Sequence, residues 1–442
     1  MLLWPDVHES DHELSADIGP RVFQLRLRRN LTQQQLAEPR YTRSYVSSVE
    51  SGRRTPSLAA ISHFAGKLGV TPEELLTGRP PHLIPTLQAD LTAARRALAC
   101  GITQRATALY TSVLCRATRH RMRLWEARAR CGLGEVALYR DDISAAEAHL
   151  SDAAARLTGY PVTTRAPVTA QQAYCLFRSG ALSDAVALAE TTLRTVREEA
   201  GQHADAETQL LVVLFTMYLE MGSPLRAADT IRSIRALLPH LQDPELRARA
   251  YLLSAGTVPS HDDTERAAAE QALSIARTLY GRLGFLTDVG RCHWSHGRLL
   301  NRAGKRSEAI AQLSKAREIF VVTRSAQDLM GTTIELAEAY RLHGELPQAR
   351  RLADEALTLL KEHGDVADWA RAHRLRGLIA KDSGDPDAVR WLHRAVTLYG
   401  RLGARLELAV TCRMLGDVLF ENGALIDAGE IMRHGLRALE PS

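Results

Sequence analysis

Gly344-Glu345-Leu346-Pro347-Gln348-Ala349-Arg350-Arg351-Leu352-Ala353-Asp354-Glu355-Ala356 carries the pattern that organises most of the chain. A Gly-bearing turn leads to a small residue, Ala349, with further small residues four and seven positions on. Positions spaced in this way share one face of an α-helix, and small side chains on that face let a second helix approach closely. The signature recurs on Ala106, Ala146, Ala185, Ala227, Ala268, Ala309, Ala349, Ala388 and Ala428, in steps of 40, 39, 42, 41, 41, 40, 39 and 40. So even a period marks stacked helical units. Upstream of several anchors lies a small residue for the facing helix: Leu133-Gly134, His296-Gly297, Leu336-Ala337, Arg376-Gly377 and Leu415-Gly416. Composition agrees. The chain has 442 residues, 45% of them apolar but only 5% aromatic, which suits many amphipathic helices and not an all-β architecture.

The array resembles the tetratricopeptide repeat over about residues 88–440, with a step longer than that family's usual ~34 residues. The resemblance implies an all-α solenoid of antiparallel helix pairs with a concave face. Two stretches break the rhythm, Gly159 to Pro167 and Thr257 to Asp263. They are read as tolerated insertions, the alternative being hinges.

Ahead of the array the charge is uneven. The formal net charge is +5, yet residues 1–17 carry five acids and no Lys or Arg, and residues 18–68 carry nine basic residues against two acids. A local basic concentration is the footprint of a nucleic-acid-binding module. The division expected is an acidic arm at 1–17, a DNA-binding domain at 18–78, a Pro-rich linker at 79–87, and the repeats at 88–440. Five short helices are expected between Gly19 and Gly78. Thr32-x-x-Gln35 is a capping box, Thr42 caps a third helix whose Val46 and Val49 face inward, and Thr71-Pro72 starts a fifth. A helix with a polar outer face, set behind a tight turn, fits the DNA major groove.

The segment "LTQQQLA … RSYVSSVESGRRTPSLAAISHFAGKLGVTPEELLTG" resembles the Cro-type phage-repressor helix-turn-helix fold, the Xre group. By that resemblance Gln33 bonds a DNA phosphate, and Thr42, Arg43, Ser44, Tyr45 and Ser47 lie toward the groove. Arg53 and Arg54 flank the backbone, while Arg26 and Glu50 form a buried ion pair. The turn departs from the family: it is one residue shorter, with Pro39 in place of the usual Gly and Tyr41 in the apolar slot. A plain solvated charged face is the competing reading of the arginines.

In the repeats, offsets −6, −3, +1 and +4 from the small residue of each first helix fall on one face. In the earlier units this face carries Tyr174 and Phe177. In the later ones it carries Arg291, Trp294, Arg298, Asn301, Arg341, Arg371, Arg374 and Arg413. The expected ligand is an extended or helical peptide, or another small effector, seated on the aromatic residues with an acidic group held by Arg291, Arg298, Arg371 and Arg374. Arg-rich exposed helices, common in this chain, are the plainer explanation.

Catalytic signatures are missing. Gly66-Lys67 and Gly304-Lys305 lack the Ser/Thr of a phosphate loop, and Cys292 with His296 offers only two metal ligands. No enzyme activity, cofactor or metal is expected. Six cysteines scattered singly fit a reducing compartment. The N-terminus has no basic and apolar leader pattern and no stretch is apolar enough to span a membrane, so a soluble cytoplasmic protein is expected. Together the two halves resemble pheromone-responsive helix-turn-helix/tetratricopeptide regulators. That resemblance implies a homodimeric, sequence-specific transcription regulator of double-stranded DNA, switched by a short peptide. The alternatives are a DNA-tethered adaptor that docks a protein partner and a protein-interaction scaffold without DNA binding.

Overall fold

The computed structural model describes residues 18–199, 201–256, 263–363 and 365–440. The acidic arm 1–17 and most of the polar stretch Thr257 to Asp263 lie outside them. Every regular element among the described residues is helical, with no strand.

Five helices make the N-terminal domain: α1 (Ile18–Arg28), α2 (Gln33–Ala37), α3 (Arg43–Glu50), α4 (Leu58–Leu68) and α5 (Pro72–Thr77). Local chemistry sets their ends. Thr32 and Gln35 close the reciprocal capping box on α2, and the side chains of Thr42, Ser57 and Thr71 accept from the first turns of α3, α4 and α5. Each such cap satisfies a backbone N–H that the helix cannot, and is worth roughly 1 kcal/mol. Val22, Leu36, Val46, Val49, Phe64 and Leu68 are fully or almost fully buried and form one core.

Among the described residues eighteen helices follow, two to each of the nine anchors: α6 (Leu83–Ala99) and α7 (Thr103–Arg119), α8 (Arg123–Tyr139) and α9 (Ile143–Arg156), α10 (Val162–Arg178) and α11 (Leu182–Glu198), α12 (Ala204–Glu220) and α13 (Pro224–Leu237). After them come α14 (Pro244–Gly256) with α15 (Asp263–Leu283), α16 (Leu286–Arg302) with α17 (Arg306–Thr323), α18 (Ala326–His343) with α19 (Leu346–His363), α20 (Val366–Asp382) with α21 (Ala388–Leu402), and α22 (Arg405–Glu421) with α23 (Leu425–Leu439). The described residues fall into two compact units, one up to 98 together with 103–221, the other 99–102 together with 222–440.

The small residues do the work their spacing predicts. A Cβ on Gly297, Gly377 or Gly416 would lie 2.6–2.7 Å from Leu313, Leu392 or Met432, each four residues past the anchor of the paired helix. The first helix of a pair therefore rests its bare backbone on that side chain. Gly377→Ala is expected to destabilise the second unit by about 1–3 kcal/mol despite alanine's better helix propensity, because Leu392 Cγ and its own backbone nitrogen close the space. A thermal melt compared with the parent checks this; an unchanged or raised midpoint refutes it.

Three expectations need correction. Ala268 is exposed, and Ala269, 3% exposed, holds the anchor position of its repeat. Ala267-Ala268-Ala269 offered three small residues in a row, and only Ala269 puts Leu273 and Ala276 inward with it. The joint from Gly159 to Pro167 is shorter than expected, because α10 begins at Val162 and contains Pro167. The linker 79–87 is helical from Leu83, Pro85 being tolerated in a first turn whose N–H groups have no intrahelical partner.

Candidate nucleic-acid interface and repeat groove

The exposed side of α3 is built from the inside outward. Val46 and Val49 lock one face into the core, which leaves Thr42, Arg43 and Ser44 exposed and Tyr45 and Ser47 half-buried. Thr42 Oγ1 caps Tyr45 N–H and lies 3.0 Å from Ser44 Oγ. Tyr41 takes the apolar slot of the altered turn: its ring stacks on Tyr45 at 5.0 Å and packs on Phe64 at 5.6 Å. The guanidinium of Arg54 sits 4.9 Å over the Tyr45 ring, and Arg53 Nε donates to Ser51 Oγ. Arg43 at the start of α3 and Arg53 and Arg54 just past its end have no acid in ion-pair contact among the described residues.

The ion pair between α1 and α3 forms as the resemblance implies. Arg26 Nε and Nη2 donate to Glu50 at 2.6 and 3.0 Å, and Nη1 donates to the Leu31 carbonyl. The hydrogen bond to Glu50 is the main reason the Arg26 pKa is raised further. Gln33 Nε2 donates to Glu50 Oε2 at 2.9 Å, which engages one of its two amide hydrogens in the buried network.

The later repeats place their arginines differently from a bare basic groove. Arg291 bonds Asp288 on its own helix and Asp328 on α18, and Arg341 bonds Glu338 and Asp382. Arg371 lies 3.4 Å from Asp368 and 3.3 Å from Glu335, and Arg413 lies 3.5 Å from Asp417. Arg298 has one long contact of 3.7 Å to Glu335, and burial, only partly opposed by that carboxylate, lowers its pKa. Arg374 lies 5.3 Å over the Tyr399 ring and has no acid partner among the described residues. These acids offset much of the basic charge of the face. Their signal was in the sequence: Asp288, Asp328 and Asp368 recur three residues ahead of the −6 position in three successive repeats.

Aromatic residues complete the picture within each unit. In the first, Tyr174 and Phe177 stand half-buried with ring centroids 5.9 Å apart. In the second, Trp294 meets Phe320 edge-on at 6.2 Å, and a Cβ on Gly331 would fall 2.7 Å from its ring. The Trp294 indole N–H is buried without an acceptor, while Asn301 Oδ1 accepts from Arg306. Among the described residues no three His, Cys, Asp or Glu side chains cluster as metal ligands, and no helix is long and apolar enough to cross a membrane.

Comparison with known proteins agrees with this architecture. A family described as a helix-turn-helix domain matches residues 17–77. No curated protein matches the chain. Among solved structures, a Rap protein complexed with Competence and Sporulation Factor is 14% identical, with a TM-score of 0.55, over 80% of this chain and 97% of that one. The apo form of the quorum sensor NprR from B. thuringiensis is 15% identical, with a TM-score of 0.54, over 80% of this chain and 99% of that one. At such identity the likeness is one of fold. The chain is therefore a helix-turn-helix domain followed by helix pairs of the tetratricopeptide-like fold.

Proposed function

We propose that the protein is a transcription regulator that binds double-stranded DNA through α3 and its flanks and carries an effector on its repeats. The observation that supports this best is the exposed α3 surface. Thr42, Arg43, Ser44, Tyr45 and Ser47 line a helix that fits the major groove, and Arg53 and Arg54 stand where phosphates would pass. The matching helix-turn-helix family supports the same reading. One of the two similar structures holds Competence and Sporulation Factor and the other is a quorum sensor, so a short peptide or other small signal is the proposed effector. Its proposed contacts are Trp294, Arg298, Asn301 and Arg374 in the second unit, and Tyr174 and Phe177 form a separate candidate contact patch in the first. Arg291, Arg341, Arg371 and Arg413 shape the set in the second unit through their own acids.

The test is a binding titration on DNA from upstream of the protein's own gene, with Arg43→Ala, Arg54→Ala and the double variant. Each base contact is worth roughly 1–3 kcal/mol, so the double variant is expected to lose about a hundredfold in affinity. The loss of a phosphate contact by Arg54 should also reduce the salt slope by about one. Unchanged affinity in the double variant overturns the reading.

A further inference from the structure

The turn from α7 into α8 gathers positive charge as no corresponding turn of the array does. Residues 116–123, Arg-Ala-Thr-Arg-His-Arg-Met-Arg, hold four arginines and a histidine and no acid. The eight residues that end on the first position of α10, α12, α14, α16, α18, α20 or α22 hold at most two Lys or Arg. Arg116 pairs with Asp90, whereas Arg119, Arg121 and Arg123 are exposed and have no acid partner among the described residues. Two of these three stand where local structure favours something else. Arg121 has a φ of 52°, a left-handed conformation that Gly284 and Gly403 hold at the same place in later repeats. Arg123 opens α8, where the helix dipole favours an acid. Arg324 and Arg405 take these two positions singly, and only this turn fills both with arginine.

The run is seated on the end of the DNA-binding domain. The His120 ring hydrogen-bonds to the backbone of Gly78 and lies beside Arg79. Gly78 packs on α1, where a Cβ on it would lie 3.0 Å from the Arg21 guanidinium. Two residues before Arg21, Gly19 lies against the Val49 and Glu50 carbonyls at the end of α3. Arg53 and Arg54 follow directly. This chain of contacts joins the basic run to the Arg53–Arg54 flank of α3 and not to its Arg43 end, and all of it lies in the first compact unit. Burial, then the charges of Arg119 and Arg79, lower the His120 pKa, so its ring is neutral at pH 7 and the arginines carry the charge of the turn.

Resting on the DNA-binding reading above, we infer that Arg119, Arg121 and Arg123 form a second DNA-contacting surface, on the repeats, that holds phosphates beyond those met by Arg53 and Arg54. Guanidinium groups match phosphate oxygens in geometry as well as charge. A duplex offers one phosphate per about 1.7 Å of its axis, so three arginines on one turn can each find one. Phosphate contacts carry no sequence information, so this surface adds affinity and fixes how the first repeats lie on the duplex, while α3 does the reading. An acidic protein would meet the same charges, but the contact through Gly78 places them beside the domain that binds DNA.

Titration of the full chain on a duplex of arbitrary sequence, at several salt concentrations, tests it. Each phosphate contact adds about 0.9 to the slope of log affinity against log salt. The triple variant Arg119→Gln, Arg121→Gly and Arg123→Gln is therefore expected to lower that slope by about two to three and to weaken binding at least about tenfold near 0.1 M salt. Arg121→Gly alone should lower it by about one and should melt no lower than the parent, because glycine suits the left-handed backbone. A control triple variant, Arg302→Gln, Arg351→Gln and Arg401→Gln, removes the same charge from exposed positions in the second unit and should leave the slope unchanged. A slope unchanged in the first triple variant, or lowered as much in the control, overturns the inference while leaving the DNA-binding reading to the Arg43→Ala and Arg54→Ala double variant. A parent chain that binds no duplex overturns both.

Discussion

Glu50→Ala is expected to unfold the DNA-binding domain while leaving the repeats folded. The Arg26 and Glu50 side chains are 9% and 6% exposed and share two hydrogen bonds, with Gln33 and the Leu31 carbonyl completing the network. Removing one partner strands a buried charge, which costs about 3–5 kcal/mol. At roughly 0.05–0.15 kcal/mol per residue, a module of some sixty residues has little more than that to lose. Amide hydrogen exchange resolves the effect by segment: Val46, Val49 and Phe64 should lose protection while α16 to α23 keep theirs. Replacing both Arg26 and Glu50 with Leu should recover most of the protection, because a buried pair can be exchanged for apolar packing at little cost. Full protection in Glu50→Ala would show that the pair does not hold α1 against α3.

The same network shows where the sequence could be read and where it could not. The pairing of Arg26 with Glu50 is what the sequence pattern shared with the Cro-type helix-turn-helix fold implies. Gln33 follows the pattern too, but its amide is free to rotate, and the nearby carboxylate, not the helix register, decides where it points. The repeats divide in the same way. Ala309, Ala349 and Ala388 lie where the period puts them because only a small residue fits under the facing helix, whereas Ala267-Ala268-Ala269 could be resolved only by packing. The groove was legible as a face, and its recurring acids were legible too, but which acid meets which arginine was not. Arg291 and Arg371 share that face with Trp294, but their partners Asp328 and Glu335 come from neighbouring repeats, and pairing between repeats is set by how the helices stack.

That stacking makes Phe320 the residue through which core and groove are joined, and Phe320→Ala should be the most damaging single change in the second unit. The ring is fully buried on α17, lies edge-on to Trp294 on α16, and packs where a Cβ on Gly290 would approach it to 2.7 Å. Truncation removes that apolar volume and leaves a cavity bounded by helices that cannot collapse without moving, a loss of about 3–5 kcal/mol. Leucine, which fills most of the space, should cost less than half as much. The consequence for function follows from Trp294: with Gly331 beneath it and Phe320 at its edge, the indole has one orientation, and without Phe320 it gains others. Effector binding in the second unit should therefore weaken in Phe320→Ala even at temperatures where the fold persists, while Phe320→Leu retains it. Chemical denaturation followed by far-ultraviolet circular dichroism measures the first effect, and a midpoint shift no larger for alanine than for leucine would refute it.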